Sequence, residues 1–241
     1  GVFSLLERWP YGGTPALRRL CRPFWEQETR PSTEIRQLRR VMAFVGMRQN
    51  PYIALVLNLL MPWDMWAALL LNRRKRALQT HMPRWLEVWY ELEALASLAT
   101  FAALHPDHVF PQIAAEGEAV FRAQALGHPL LPVAQKVRND FDMPRLGQVA
   151  IITGSNMSGK STFLRTVGVN LALAFAGSVV DAAALTTRPL RLFSSIRVTD
   201  SVTDGFSFFY AEVRRLQQLL TELRKETAVP LFYFVDEIFR G

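Results

Sequence analysis

The sequence predicts an α/β domain in the second half of the chain and an all-α domain before it. Three observations lead to this fold class. Apolar residues recur at helical spacing through residues 1–126, with few strand-like alternations. A short β-branched run, Gln148–Thr153, leads into the glycine-containing segment TGSNMSGKST. A second apolar run, Leu231–Val235, ends at the acidic pair Asp236 and Glu237, as expected of a central parallel strand.

Length and composition allow two domains and an anionic partner. The chain has 241 residues, half of them hydrophobic, which is enough material for packed cores. The formal charge of +7 permits binding to nucleic acid or a membrane surface. This charge is +4 over residues 1–130 and +3 over residues 131–241, so there is no basic tail. The single cysteine, Cys21, excludes an internal disulfide framework and favours a reducing compartment such as the cytoplasm.

Two apolar stripes are expected to form the core of the helical domain. The first contains Ile35, Leu38, Met42 and Val45, and the second contains Trp85, Trp89, Leu92, Ala96 and Ala99. Both sets recur at the three- and four-residue spacing of one helix face. We therefore expect both stripes to be buried.

The run 53–71 approaches the length of a membrane span, and the basic cluster RRKR at 73–76 follows it. Asn58, Pro62 and Asp64 interrupt the run, and an ionisable residue within a span is costly in lipid. A buried helix, or a helix pair broken near Pro62, is the simpler interpretation. The basic cluster is then expected at a solvated helix C-terminus, where the helix dipole favours cations.

A phosphate-binding loop is predicted after the turn-like segment GHPLLP, which marks an expected domain boundary at residue 127. The pattern G-x-x-x-x-G-K-[ST] is met by Gly154, Gly159, Lys160 and Ser161. A β-branched run precedes the loop, and apolar residues at helical spacing follow it up to Gly177, where a helix would stop. Strand, loop and helix in this order form the context of a P-loop NTPase site.

The residue types at this loop suit a nucleoside triphosphate with Mg²⁺. Backbone N–H groups of a glycine loop can cradle phosphate oxygens, with the helix dipole behind them. The expected loop residues are Gly154, Ser155, Asn156, Met157, Ser158, Gly159, Lys160, Ser161 and Thr162. Lys160 would reach the β and γ phosphates, while Ser161 and Asp236 would hold the metal. Glu237 would orient or deprotonate the water that attacks the γ phosphate.

Three segments together resemble a known family. TGSNMSGKST, SVTDGFSFFYAEVRRL and FVDEIFRG resemble the ATPase domain of the MutS family of DNA mismatch repair and recombination proteins, within the ABC class of ATPases. The resemblance covers about Leu126 to Gly241 and extends more weakly into the helical part, which corresponds to the core and lever region. It is closest to bacterial members without a recognisable mismatch-reading domain. The Asn156–Met157 pair is its specific mark, because P-loops in general do not require it.

The resemblance assigns further roles to individual residues. Asn156 corresponds to the amide that approaches the γ phosphate. The family's signature segment is matched by Gly205, Ser207, Phe209 and Glu212, and the start of its ATPase domain by His128, Pro129, Asn139 and Asp140. In the family the signature serine serves the nucleotide of the partner subunit, so Ser207 is expected to act in trans. The resemblance thus implies an ATP- and Mg²⁺-dependent homodimer, joined through its ATPase faces, that closes around double-stranded DNA in the nucleoid.

Departures from the family pattern leave some roles open. Lys136–Val137 stands where the family often has an aromatic residue that stacks on adenine, and Phe239 replaces a small residue after the acidic pair. The chain begins at Gly1 and stops at Gly241, before the family's next segment, so we expect a piece of a longer protein with an incomplete ATPase domain. Whether this piece hydrolyses ATP, and whether upstream residues anchor the longer protein to a membrane, stay open.

A glycine loop also occurs in two other classes of protein. A nucleotide-gated scaffold or binding module with negligible catalysis agrees with the departure at Lys136 and with the missing mismatch-reading domain. A small-molecule or nucleotide kinase is disfavoured, because such kinases place the loop near the N-terminus and follow it with an arginine-rich lid. Here about 150 residues precede the loop, and an acidic pair ends a late strand.

Overall fold

The computed structural model describes residues 2–26, 30–46, 62–114, 120–196 and 208–236. The chain divides into two compact units, Gly1–Ala96 and Ser97–Gly241. The first is helical and the second contains the strands, so the predicted fold class is confirmed. The division falls about 30 residues before the boundary expected at residue 127, and that boundary stays a prediction.

Five helices occupy the described part of the chain before the first strand: α1 (Val2–Arg8), α2 (Pro15–Leu20), α3 (Arg22–Trp25), α4 (Pro31–Gly46) and α5 (Trp63–Leu104). The core of the first unit contains Tyr11, Cys21, Phe24, Trp85 and Val88. Trp85 is 1% exposed and partly buried Leu92 packs beside it, so the second predicted stripe is confirmed at these positions. These large side chains exclude water from the faces where the short helices meet α5.

The other predicted stripe is wrong at two positions. Ile35 and Met42 of α4 are 41% and 60% exposed, whereas Leu38 and Val45 are half-buried. Helical spacing places all four on one face, but only packing against another element can bury that face. Ala96 and Ala99, at the end of the second predicted stripe, are also exposed.

Helix α5 has 42 residues and a length of about 63 Å. It begins directly after Pro62, and a helix pair broken there stays a prediction. The expected burial is wrong for Met65, Trp66 and Leu69, which are 58%, 50% and 49% exposed. The expected position of the basic cluster 73–76 is wrong, because α5 continues through it to Leu104 and the cluster lies nearer the N-terminus. Residues 53–61 lie outside the described part. Across the described residues, no helix is long and apolar enough to cross a membrane.

The prediction of helix up to residue 126 is wrong for residues 105–114 and 120–126. Helix α5 ends at Leu104, and two strands follow it, β1 (Gln112–Ile113) and β2 (Phe121–Leu126). Pro106 and Pro111 explain part of the difference, because the residue before a proline disfavours helical backbone. In β2, buried and exposed residues alternate with the period of a strand.

The second unit contains two sheets. The larger has the strand order β1-β4-β2-β3, with β3 at Asn139–Met143 and β4 at Ala184–Thr187. Strand β2 is antiparallel to both neighbours, and β1 is parallel to β4. The smaller sheet pairs β5 (Arg191–Ser195) and β6 (Leu231–Val235) in parallel. Strand β6, predicted from its apolar run, is confirmed as a parallel strand, but in the described residues it pairs with β5 alone and is not central.

Two helices complete the second unit, α6 (Lys160–Phe175) and α7 (Phe208–Leu223), and the predicted helix after the glycine loop is confirmed as α6. Helix α6 buries Val167, Leu171 and Ala174 in the core shared with β2, β4 and β6. It ends where predicted: Gly177 has φ 79° and its N–H bonds to Ala174 O. Glycine adopts this left-handed conformation without the strain of a side chain.

The predicted strand Gln148–Thr153 is not formed. This segment has no regular secondary structure, and Val149 and Ile151 are 68% and 83% exposed. A cavity of about 90 Å³ separates it from β6, lined mostly by apolar side chains that include Ile152, Phe163 and Phe234. A strand requires a neighbouring backbone for its hydrogen bonds, and across this cavity the segment meets side chains instead.

Candidate functional site

The glycine loop lies between the extended segment ending at Thr153 and the first residue of α6. Its residues 153–159 are exposed, while Lys160 and Ser161 at the start of the helix are half-buried. The loop has few internal bonds: Ser158 N–H donates to Ser155 O at 3.3 Å, and Phe163 N–H donates to Gly159 O at 2.8 Å. The loop is therefore open to a ligand from solvent, and α6 supports it at one end.

Geometry requires a glycine at Gly159 and favours one at Gly154. Gly159 has φ 89°, a left-handed conformation that costs any other residue roughly 1–2 kcal/mol. At Gly154, a Cβ atom would lie 2.9 Å from Ser158 Oγ, so that hydroxyl would have to rotate away. Met157 is also left-handed, with φ 65°, and its side chain is fully exposed. The loop is thus bent so that its backbone, rather than its side chains, encloses the space before α6.

Lys160 lies across this bend. Its Nζ donates to Gly154 O at 2.8 Å and to Ser155 O at 2.7 Å. An ammonium group has three donors, so one remains for an anion. The arrangement places a positive charge inside the curve of the loop.

The N-terminus of α6 adds to this positive potential. The first N–H groups of a helix have no partner within the helix, and the helix dipole gives them a partial positive charge. The first turn of α6 contains no acidic residue and the N-cap forms no side-chain hydrogen bond. The amides at Lys160, Ser161 and Thr162 thus lie where phosphate oxygens bind in glycine-loop sites.

Asp236 follows β6 directly, as predicted. Its N–H donates to Ser195 O at 3.1 Å, which ties it to the end of β5, and its side chain is half-buried. Phe234 packs against α6, since a Cβ atom at Gly168 would lie 3.6 Å from the Phe234 ring. Strand β6 is thereby fixed on the helix that begins at the loop. The pairing of Asp236 with Ser161 around a metal stays a prediction.

The other predicted site residues lie outside what the structure describes. Glu237, Ser207, Gly205 and Phe239 fall in undescribed segments. Phe209 and Glu212 belong to α7, but their side chains are not described. Their catalytic and trans-acting roles stay predictions.

A buried polar cluster lies behind the site, and sequence reasoning missed its centre. Asp181 and Asn170 are both 0% exposed. Lys136, the residue that departs from the family pattern, is not at the surface, because its Nζ donates to Asp181 Oδ2. The sequence contains a signal for this cluster. Asp181 follows two valines, and Asn170 interrupts the apolar face of α6.

His128 is half-buried beside this cluster. Burial lowers its pKa, and the positive charges of Lys136 and Arg165 lower it further. Burial likewise lowers the pKa of His108, whose Nε2 lies 3.6 Å from Asp181 Oδ1. Both histidines are therefore held towards the neutral form.

Comparison with known proteins identifies relatives of the second unit. Residues 150–241 match the family model described as MutS domain V. The chain is 37% identical over 153 residues to DNA mismatch repair protein MutS 2 of Halobacterium salinarum, covering 62% of this chain and 17% of that protein. It is 34% identical over 115 residues to Endonuclease MutS2 of Thermus thermophilus, covering 47% of this chain and 15% of that protein. The chain thus spans about one sixth of the length of these relatives.

Proposed function

Since residues 150–241 of this chain are a MutS domain V, the ATPase domain of the MutS family, we propose that the chain binds ATP with Mg²⁺ and that the longer protein hydrolyses it. One observation carries the proposal. Lys160 Nζ lies within the bend formed by Gly154 and Ser155, directly before the free N–H groups of α6. Backbone donors, an ammonium and a helix dipole at one point favour a triphosphate over a less charged ligand.

The catalytic roles in this proposal follow chain order and chemistry. Ser161 supplies a hydroxyl to Mg²⁺, and Asp236, at the end of β6, supplies a carboxylate directly or through water. Asn156 approaches the γ phosphate, and Glu237 orients or deprotonates the attacking water. Ser207 serves the nucleotide of a second copy, so the active form in this proposal is a homodimer joined through its ATPase faces.

We further propose that the longer protein binds double-stranded DNA and belongs in the cytoplasm with the nucleoid. The distribution of net charge between the two structural units supports DNA binding. Gly1–Ala96 contains 14 Arg and Lys against eight Asp and Glu, which is +6 of the chain's +7. A helical unit with this excess attracts phosphate backbones by releasing their counterions.

The basic part of α5 is the candidate contact for DNA. Arg73, Arg76 and Arg84 are exposed and recur at spacings that place them on one face of the helix. No acidic residue lies between Asp64 and Glu87. The helix C-terminus is distant, so its dipole does not offset these charges. An external polyanion would offset them.

A scaffold that binds nucleotide with negligible catalysis is the second candidate. Lys136 favours it, because its ammonium is held by buried Asp181 and is not available to a nucleotide base. A weakly held base would lower nucleotide affinity without removing the phosphate contacts. In this form the bound nucleotide controls assembly rather than turnover.

The test is steady-state phosphate release by the full-length protein, without DNA and with homoduplex, mismatched and branched DNA in turn. Turnover that changes with one DNA form supports the ATPase cycle and identifies the DNA. Stoichiometric binding without turnover favours the scaffold, and absence of Mg·ATP binding contradicts both.

A matched pair of lysine variants locates the activity in the loop. Lys160→Ala is expected to abolish ATP binding, because it removes the ammonium from the loop. Lys225→Ala serves as the control, since Lys225 is exposed and bonds only to Glu222 in the described structure. Equal ATP affinity in the two variants would show that the loop is not the nucleotide site.

A further inference from the structure

We infer that Asn170 is a positioning residue for the phosphate loop and that buried Asp181 holds it in place. The inference rests on the proposed nucleotide site, but its structural basis is independent of any ligand. It concerns how α6, and with it the loop, is fixed relative to the larger sheet.

The carboxamide of Asn170 connects three segments. Its Nδ2 donates to Gly127 O at 2.9 Å and to Thr166 O at 2.8 Å, and its Oδ1 accepts from Asp181 N–H at 2.8 Å. The first and third partners lie outside α6, next to the ends of β2 and β4. Both amide hydrogens and the oxygen are thus used. A rotation or slide of α6 would break at least one of these buried bonds.

Asp181 fixes the backbone that Asn170 binds. Its side chain is 0% exposed, and its oxygens meet Lys136 Nζ and, at 2.7 Å, Arg138 Nη2. Its own carbonyl accepts from Gly127 N–H at 2.7 Å. A buried carboxylate is stable only when it is paired, so these contacts hold the segment in one place.

Close packing makes the arrangement specific. At Gly127, a Cβ atom would lie 2.8 Å from both Asp181 Oδ2 and Lys136 Cδ. Any larger residue there would displace the ion pair. Gly127 can therefore bond to Asn170 through its carbonyl and to Asp181 through its N–H.

The loop depends on α6 for its orientation. Asn170 lies about 15 Å along the helix from Lys160. The loop residues themselves are exposed and make few internal bonds. Because a helix behaves as a rigid rod over this length, the contacts of Asn170 set the direction of the N–H groups at its start. Phosphate binding requires these N–H groups to be positioned to within a fraction of an ångström.

The experiment compares two buried variants on the same helix of the full-length protein. Asn170→Asp keeps the size of the side chain but loses the donors to Gly127 O and Thr166 O. Leu171→Ala is the control, because Leu171 is also 0% exposed but makes only apolar contacts. Both are compared with wild type by denaturant unfolding, Mg·ATP affinity, and hydrogen–deuterium exchange of the hydrogen-bonded amides in the loop and at the start of α6, namely Ser158 and residues 163–166.

We expect Asn170→Asp to weaken Mg·ATP binding about tenfold and to speed exchange of the loop amides. Leu171→Ala should lose at least as much stability and keep both loop properties near wild type. If the two variants lose affinity and loop protection in proportion to stability, the role of Asn170 is only structural and the inference fails. The inference also fails if the exchange rates of the loop amides are unchanged in Asn170→Asp.

The exchange measurement separates this inference from the proposed function. If the wild-type protein binds no Mg·ATP, the proposed function fails. Faster loop exchange in Asn170→Asp, with the control unchanged, would still support the positioning role. Asn170→Gln gives a second arm: it restores the donors on a longer side chain and should recover loop protection in part if the hydrogen bonds matter.

Discussion

The ammonium of Lys136 donates to the carboxylate of Asp181 inside the protein, where both side chains are at most 5% exposed. Sequence comparison alone marks Lys136 as a departure from a family pattern. The structure gives it a partner 45 residues away in the chain. Lys136 therefore belongs to a buried ion pair beside the helix that begins at the glycine loop.

Breaking the ion pair between Lys136 and Asp181 should lower the free energy of unfolding. Lys136→Met removes one partner and leaves a buried carboxylate with less compensation, at a cost on the order of 3 kcal/mol in the free energy of unfolding. Asp181→Asn alone should also destabilise, whereas the double variant should recover part of the loss, because the one partner then left without the carboxylate is Arg138, whose side chain is 39% exposed and can be solvated. Denaturant unfolding of the four proteins measures the coupling. Additive effects would mean that the two side chains do not interact.

The backbone at Gly159 should tolerate no side chain. Gly159→Ala forces alanine into φ 89°, at a cost of roughly 1–2 kcal/mol, and should weaken Mg·ATP binding by tilting the loop. Gly13→Ala is the control, since nothing lies within 4 Å of a Cβ atom there. Unfolding curves and ATP titrations of both variants test the prediction. An affinity equal to wild type in Gly159→Ala would show that the loop does not hold the phosphates in this conformation.

Stability should fall as the pH is lowered through the histidine range. Burial lowers the pKa of His108 and His128 from the ordinary value of 6.5. Below 6.5 the unfolded chain takes up protons that the folded protein does not, so the free energy of unfolding decreases as the pH falls. Above this value the contribution of the two neutral histidines is fully present.

Unfolding midpoints at about pH 7 and about pH 5.5 measure this dependence. Replacing His108 with glutamine removes one titrating group and should reduce the difference between the two midpoints. The groups that face His108 are Asp181, His105, Lys136 and Arg138. A variant with an unchanged pH profile would assign the dependence to His128 or to the carboxylates.

The basic face of α5 should govern DNA affinity. Replacing Arg73 and Arg76 with alanine should weaken binding of the full-length protein to duplex DNA. The slope of log Kd against the logarithm of the salt concentration should decrease by about two, because two phosphate contacts are lost. The matched control replaces Arg145 and Arg224, two exposed arginines of the second unit. Fluorescence anisotropy over a salt series measures both. If the control weakens binding as much, the contact is non-specific or lies elsewhere.

Much of the candidate site was determined by the sequence. Gly154, Gly159 and Lys160 stand at spacings that a phosphate loop requires, and the following apolar period predicted α6 and its end at Gly177. These features depend on neighbouring residues, through backbone conformation and helical periodicity. The acidic pair at the end of β6 was identified in the same way, from a short apolar run.

Strand pairing and helix length were less accessible to sequence reasoning. The β-branched segment 148–153 has the composition of a strand, but a strand forms only where another backbone supplies its hydrogen bonds. The cluster 73–76 suggested a helix end, but α5 passes through it, because its apolar residues continue to pack beyond. The local sequence pattern could predict neither the missing strand nor the length of α5, since both depend on contacts with other segments.

The buried cluster was decided by tertiary structure alone. Asn170 and Asp181 are 11 residues apart, and Lys136 is 45 residues from Asp181, so no periodicity links them. In an unfolded chain each of these polar groups is solvated by water and needs no partner. Folding removes the water, and each group is then stable only beside the donor or acceptor that the fold brings to it. The sequence therefore determined the glycine loop that we propose binds phosphate, and the tertiary structure decided what holds that loop in position.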